Sequence, residues 1–285
     1  VSGNQTISVL VNGVNDAPTL TITPSVTSVT EDSTEKASGT FALADVDSDG
    51  GLQHLFITSS NTGAMVTQDF NIATKTDTAS TGTASITSDY GTLTMKADGT
   101  YSYELNNDST SVQALKANES YTDTFTVHTE DRHSGVSGNQ TISVLVNGVN
   151  DAPEAVASTA TLTVAADIVP GSHLSVAGDL AAAHDADNDA LTYSITGHNS
   201  TEAFTSGTTD SHTTILGKFG SLSFDTHNSQ DSLYHYTYTL DSSEDGLLRL
   251  AAAHADGSAL TDSFSYSVND GHGGVTTSSL VVSLS

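Results

Sequence analysis

The chain has 285 residues, no cysteine and no tryptophan, and it sets 34 Asp and Glu against seven Lys and Arg for a formal charge of −27. Nucleic acid is not expected as a partner and an anionic membrane surface is disfavoured, because both need clustered cations on the protein. No apolar run is long enough to span a bilayer, so no membrane insertion is expected.

The first feature met along the chain is a repeat. Val1–Pro18 reads VSGNQTISVLVNGVNDAP, and the same letters return at Val136–Pro153. Identity at about one domain's spacing marks a tandem array. Residues 1–17 are expected to be the last strand and linker of a preceding repeat. Residues 18–152 form a first β-sandwich repeat, and residues 153–285 form a second, divergent one. No basic-plus-apolar leader opens the chain, so an export signal would lie outside it.

Short alternating runs between turn residues dominate both repeats. Gln5–Val11 and its copy Gln140–Val146 read as half-buried strands, as does Leu20–Thr23. Gly91–Met95 and Thr100–Tyr103 flank Asp98-Gly99 and read as a hairpin. Thr122–Thr129 alternates around Phe125 and Val127. In the second repeat Leu191–Ile195, Gly220–Phe224, His235–Leu240, Asp262–Val268 and Ser278–Leu284 alternate in turn. Ser111–Lys116 and Gly246–Ala253 are each expected to make a turn or two of helix, just before the penultimate strand of their repeat. The composition is otherwise all-β, with strands at sandwich-like spacing.

The carboxylates cluster at strand ends. Asp45, Asp47 and Asp49 stand at alternate positions before Gly50, and Asp185, Asp187 and Asp189 repeat the pattern. A tight loop can converge such residues on one ion, and calcium takes six to eight oxygens in irregular geometry. An EF-hand is rejected, since its ligating twelfth position would be Phe56 or Thr196. The second cluster is Asn150 and Asp151, ahead of Pro153, with Asn15 and Asp16 as their copy. The third is Glu130 and Asp131, matched by Asp270 in Asn269–Gly274. The fourth is Glu31 and Asp32; Asp167 sits in that neighbourhood of the second repeat without the Glu. The ordinary reading of each cluster is a solvated turn, because Asn, Asp, Gly and Pro are turn formers. Recurrence at matched places favours bound metal, which would relieve the self-repulsion of so acidic a chain.

In order, Glu31-Asp32, Asp45-Val46-Asp47, Gly91 to Tyr103, Val112 to Leu115, Thr122 to Val127 and Asn150 to Pro153 resemble the VCBS and cadherin-like repeats of large bacterial adhesins, RTX adhesins included. The second repeat matches best at Asp185 to Ile195, Thr261 to Val268 and Asp270 to Gly274. The resemblance implies tandem immunoglobulin-like or cadherin-like β-sandwich domains that bind Ca²⁺ near their junctions. It implies that Asn150 and Asp151 meet Asp185 and Asp187 together with acids of the first repeat. It also implies an extracellular place on a bacterial surface, type I secretion and a part in biofilm adhesion, with neighbouring repeats of the same chain as partners. Two departures stand out: Asp131-Arg132-His133-Ser134-Gly135 replaces the usual Asp-Gly-x-Gly-Gly, and the second repeat lacks the early Glu.

No nucleophile elbow, zinc-protease helix or phosphate loop occurs, so the chain is not expected to be an enzyme. The expected role is a calcium-stiffened spacer. The alternative is that the second repeat binds a glycan or peptide through its longer loops at Asn199–His212 and Asp225–Gln230.

Overall fold

The structure is a computed structural model and describes residues 3–47, 52–71, 82–198, 212–225 and 234–285. The chain divides into two compact units, Val1–Val149 and Asn150–Ser285. Unit 1 contains β1 (Thr19–Val26), β2 (Ser28–Thr30), β3 (Lys36–Ala44), β4 (Leu52–Ser59), β5 (Met65–Asn71), β6 (Thr83–Thr87), β7 (Gly91–Lys96), β8 (Thr100–Leu105), α1 (Thr110–Gln113), β9 (Ser120–Asp131) and β10 (Gln140–Asn147). Unit 2 contains β11 (Ser158–Leu162), β12 (Ser175–Asp179), β13 (Thr192–His198), β14 (His212–Leu216), β15 (Gly220–Asp225), β16 (His235–Leu240), α2 (Glu244–Asp256), β17 (Thr261–Asn269) and β18 (Val275–Leu284).

Each unit is a pair of sheets enclosing one core. In unit 1 the sheets run β1-β3-β8-β7-β6 and β2-β10-β9-β4-β5; in unit 2 they run β12-β16-β15-β14 and β11-β18-β17-β13. The two orders correspond strand for strand except that unit 1 adds an edge strand to each sheet, β1 and β5; among the described residues each unit has one parallel pairing. A short early strand, β2 or β11, lies parallel to the last strand, β10 or β18. This is the all-β, immunoglobulin-like and cadherin-like tandem sandwich. Alternation supplies the cores. Along β10, Ile142, Val144 and Val146 are buried while Thr141, Ser143 and Leu145 face out. These meet Leu55, Ile57, Leu93, Tyr103, Phe125 and Val127. In unit 2 Leu222, Tyr238, Phe264, Tyr266, Leu280 and Val282 do the same.

Two positions explain why both repeats carry Gly-x-Leu on one strand and a tyrosine on its neighbour. A Cβ at Gly91 would lie 2.5 Å from the ring of Tyr103, and one at Gly220 would lie 2.6 Å from that of Tyr238. Only glycine lets the ring lie flat there. Each tyrosine hydroxyl then donates to a buried aspartate, Tyr103 to Asp123 at 2.8 Å and Tyr238 to Asp262 at 2.6 Å. Asp123 also accepts from Ser88 Oγ, and Asp262 from the backbone N–H of Lys218 and Phe219.

Most expected strands are present, and the Asp98-Gly99 hairpin closes with Gly99 at φ 87°. α1 is one short turn. α2 is longer than expected, because Ser243 caps its start, Glu244 and Asp245 favour its positive end, and Gly257 at φ 74° closes it. One expectation fails. Gln5–Val11 is not a strand, although its copy is. Ile7, Val9, Leu10, Val11 and Val14 are each at least 78% exposed. The reason is the neighbour: the place such a strand takes in unit 1 is already filled by β10, and a lone strand is not stable in water.

Candidate metal centre

In unit 2 the loop after Ala183 gathers the acids. His184 exchanges two backbone hydrogen bonds with Glu154, of 2.7 and 3.0 Å, and so ties this loop to the start of the unit. Asp185 then folds the turn with its own side chain, accepting from the N–H of Asp189 at 3.1 Å. Asn188 takes φ 57°, a left-handed conformation that Asn tolerates, and its N–H donates to Asp185 O at 3.2 Å. The turn brings one carboxylate oxygen from each of Asp185, Asp187 and Asp189 within 4.8 Å of one another. Asp185 is 5% exposed and Asp187 1%. Asp185 Oδ2 is buried with no hydrogen-bond donor. Asp189 has an ion pair with His272 Nδ1 at 2.8 Å when that imidazole is protonated.

Residues 150–153 lie against this loop. The backbone N–H of Asp151 donates to Asp187 Oδ2 at 2.8 Å, and Asn150 Nδ2 donates to Asp270 Oδ2 at 2.8 Å. Asp270 closes the turn between β17 and β18. Its Oδ1 accepts from the N–H groups of His272, Gly273 and Gly274 at 2.7, 3.0 and 3.0 Å. Gly271 and Gly273 have φ of 79° and 116°, which only glycine holds without strain. Gly274 has a different duty: a Cβ there would lie 2.8 Å from Ala152 Cα, so it lets the incoming chain approach. Burial pushes the Asp270 carboxyl up. Hydrogen bonds from Asn150 and from the His272, Gly274 and Gly273 amides outweigh it, and its pKa falls below the ordinary value.

Unit 1 repeats the arrangement at the other copy of the motif. The N–H of Asp16 donates to Asp47 Oδ2 at 2.6 Å, and Asn15 Nδ2 donates to Asp131 Oδ2 at 3.0 Å. Asp131 Oδ1 accepts from the N–H groups of His133 and Gly135 at 2.7 and 2.8 Å. The departure from Asp-Gly-x-Gly-Gly is absorbed by Ser134, which takes φ 66°, while Gly135 keeps the close approach, its Cβ position 3.1 Å from Ala17 Cα. Burial raises the Asp131 carboxyl, but bonds from Asn15, Gly135 and His133 lower it more, and the net shift is downward. The N–H of Asp47 donates to Asp45 Oδ1 at 2.9 Å. Asp49 lies outside the described residues.

The expected site residues therefore fall into three sets. Asp185, Asp187 and Asp189 bring their carboxylates together, with the backbone N–H of Asp151 on Asp187; Asp45, Asp47 and Asp16 are joined through backbone N–H bonds, Asp16 to Asp47 and Asp47 to Asp45, and their carboxylates do not converge as those three do. Asp131 and Asp270 anchor asparagines 15 and 150, with their oxygens largely engaged by N–H donors. Glu31, Asp32 and Glu130 belong to none of these groups. Glu31 is buried at the C-terminal end of β10, where it accepts from Gln113 Nε2 at 3.0 Å and from the N–H of Val149 at 2.9 Å. Asp32, at φ 58°, exchanges two hydrogen bonds with Asn107. Glu130 lies on β9 in a bridge to Val136. Sequence reasoning missed Asn188, Gly135 and Gly274. The available signals were the Asn inside Asp-x-Asp-Asn-Asp, a residue that tolerates left-handed turns, and the glycine that stands 4 residues after each asparagine-anchoring aspartate.

Three carboxylates this close repel strongly. At an effective dielectric of about 20, two unit charges 4.8 Å apart cost about 3.5 kcal/mol. A buried, donor-less oxygen and an all-oxygen donor set fit a hard divalent cation such as calcium.

The chain matches no family model and no curated protein. Among solved structures, a three-domain immunoglobulin fragment of titin is similar over 96% of this chain and 67% of its own length, at 9% identity and TM-score 0.38. Extracellular cadherin domains 3–6 of protocadherin gamma B2 are similar over 95% of this chain and 51% of theirs, at 12% identity and TM-score 0.39. A two-domain fragment of human mucin-like protocadherin is similar over 93% and 98%, at 14% identity and TM-score 0.36. The chain thus spans about half of the protocadherin gamma B2 fragment. The sandwich assignment rests on the strand pairing described above.

Proposed function

We propose that the chain is a pair of calcium-binding spacer repeats from an adhesin of the VCBS and cadherin-like kind, exported to a bacterial surface. The observation that carries this reading is the buried turn of Asp185, Asp187 and Asp189 with Asp185 Oδ2 left without a donor. Asp185, Asp187, Asp189 and Asp151 would hold the ion in unit 2. Asp45, Asp47 and Asp16 would contribute in unit 1, with Asp49 as the proposed third acid of that turn. Bound calcium supplies positive charge that offsets the carboxylate repulsion.

The chain's own residues turn that local neutralisation into stiffness. The N–H of Asp151 is held by Asp187, and the side chain of Asn150 by Asp270, so the segment entering unit 2 is fixed to the same loop that gathers the acids. Asp16 and Asn15 do the same for unit 1. Residues 5–12, identical to β10, serve as the closing strand of a preceding repeat in the array. A string of such modules acts by setting reach and rigidity.

Calorimetric calcium titration of the chain, with X-ray scattering on the same sample, tests this reading. Calcium is expected to bind with release of heat or protons, to raise the melting temperature, and to narrow the distribution of particle sizes. EDTA should reverse all three, and indifference to both reagents would refute the proposal.

A further inference from the structure

The two units share a sheet plan, and one position in it carries different chemistry in each. In unit 2 the sheet β12-β16-β15-β14 aligns a row of residues across its four strands. Asp179 stands opposite His235, His235 opposite Asp225, and Asp225 opposite His212. Tyr236, Phe224 and Ile215 are buried, so two-residue alternation puts His235, Asp225 and His212 on the other, solvent face of the sheet. We infer that this row is a transition-metal site of the zinc type, with His235, Asp225 and His212 as its ligands and Asp179 as the group that orients His235.

The residue types select the metal. Zinc takes imidazole nitrogen together with carboxylate oxygen, whereas calcium takes oxygen alone. A metal-ligating histidine commonly holds one ring nitrogen on a carboxylate and gives the other to the metal. His235 has the first half of that arrangement, because its Nδ1 is hydrogen-bonded to Asp179 Oδ1. The bond favours the tautomer protonated at Nδ1, in which Nε2 is the basic nitrogen. The His235 and Asp179 side chains are 35% and 45% exposed, so an ion reaches them from solvent.

The spacing suits one ion. Opposed residues on neighbouring strands hold their Cβ atoms about 5 Å apart. Two strand spacings, about 9–10 Å, separate the backbone positions of His235 and His212. Two imidazoles can meet at one ion across that gap, with the shorter aspartate between them. Three protein ligands leave the fourth tetrahedral position to water. Such an ion ties β16, β15 and the edge strand β14 together, and Asp179 extends the clamp to β12 at the other edge.

Unit 1 supplies an internal comparison. Gly91 and Gly220 begin equivalent strands, and Lys96 and Asp225 end them. The row through Lys96 is Thr40, Thr100, Lys96 and Thr83. Threonine hydroxyls and an ammonium group offer zinc neither imidazole nor carboxylate, so the site belongs to unit 2 alone of these two rows. It also differs in kind from the Asp185, Asp187 and Asp189 turn, which gathers carboxylates only.

The test is a zinc titration of the intact chain at neutral pH in saturating calcium, followed by calorimetry and by NMR of the imidazole nitrogens. Calcium is present throughout, so the zinc result is read separately from the calcium-spacer proposal. One zinc ion is expected to bind per chain, with His235 Nε2 and a ring nitrogen of His212 shifting together. His235→Gln and His212→Gln should each weaken zinc binding at least about tenfold, and Asp179→Asn about tenfold. His173→Gln, which changes an exposed histidine outside the row, should bind zinc as the unsubstituted chain does. The nitrogen shifts are read on the unsubstituted chain, so a variant that misfolds does not remove the test. No zinc binding, zinc binding without a shift at His235, or zinc binding that is lost with Asp185→Ala and Asp187→Ala instead would each overturn the inference.

Discussion

Residues 1–18 and 136–153 are one sequence in two settings, and they agree only in part. The last four residues behave alike. Asn15 and Asn150 each reach an aspartate in the turn before a closing strand, and Asp16 and Asp151 each present a backbone N–H to the second acid of an Asp-x-Asp loop. The stretch before them does not. Gln140–Asn147 is a strand with three buried side chains, whereas residues 5–12 are exposed. The motif is therefore two devices joined head to tail. One closes the sandwich before it and needs that sandwich's edges. The other docks on the sandwich after it and finds its partners in both cases.

The sharpest way to break this division is a charge at matched positions. Val144→Asp puts an unpaired carboxylate in a fully enclosed site and is expected to cost more than about 4 kcal/mol, unfolding unit 1. Val9→Asp, the same change in the exposed copy, should alter stability by less than about 0.5 kcal/mol. Thermal melts of both variants decide this, and similar losses would mean that residues 5–12 are packed after all.

The docking half is next in size. Asp185→Ala with Asp187→Ala should remove the calcium response of unit 2, about 2.7 kcal/mol when the ion stands at a hundredfold excess over its Kd. In EDTA the sign should reverse, because the variant no longer suffers the repulsion of neighbouring carboxylates. Melting each protein with and without calcium reads both arms. A variant that is weaker in both conditions would point to a packing role alone.

A smaller effect is expected at the asparagines. Asn150→Ala and Asn15→Ala each delete a hydrogen bond to an ionised aspartate and should cost about 1.5–2 kcal/mol in unit 2 and unit 1 respectively. Chemical denaturation resolves the two, and a loss confined to one unit would show that the copies do not dock alike.

The subtlest difference concerns pH. β10 lies beside Asp123, which faces Val144 in register, and the exposed copy has no such neighbour. Burial raises the Asp123 carboxyl, bonds from Ser88, Tyr103 and the Thr124 amide lower it less, and the nearby Asp89 charge adds to the rise. A carboxyl whose folded pKa exceeds its unfolded value near 3.9 binds its proton more tightly in the folded state. Unit 1 should therefore gain stability as pH falls from neutrality through the raised folded value, with the gain complete below the unfolded one. Asp123→Asn should lose that gain, and parallel pH profiles for the two proteins would discount it.

Much of this architecture was legible in the residues. Period-two alternation fixed which faces of β7, β8, β9, β10, β15, β16, β17 and β18 are buried, because a pleated strand turns every second side chain the same way. The Asp-x-Asp-x-Asp turns and their asparagine partners were readable as a chemical pattern from residue type and spacing. The partners of Glu31 were not: β2 brings it to the C-terminal end of β10, where it accepts from Gln113 and from the N–H of Val149 at the start of the 148–153 segment.

Composition, periodicity and repetition were enough for an acidic, all-β chain built from related modules with oxygen-rich turns, since these follow from local side-chain chemistry. Whether residues 5–12 or their copy at 140–147 make a strand, and which acids gather in one turn, were set by long-range packing. Edges, burial and the reach of a hydrogen bond belong to neighbours distant along the chain, and no local pattern encodes them.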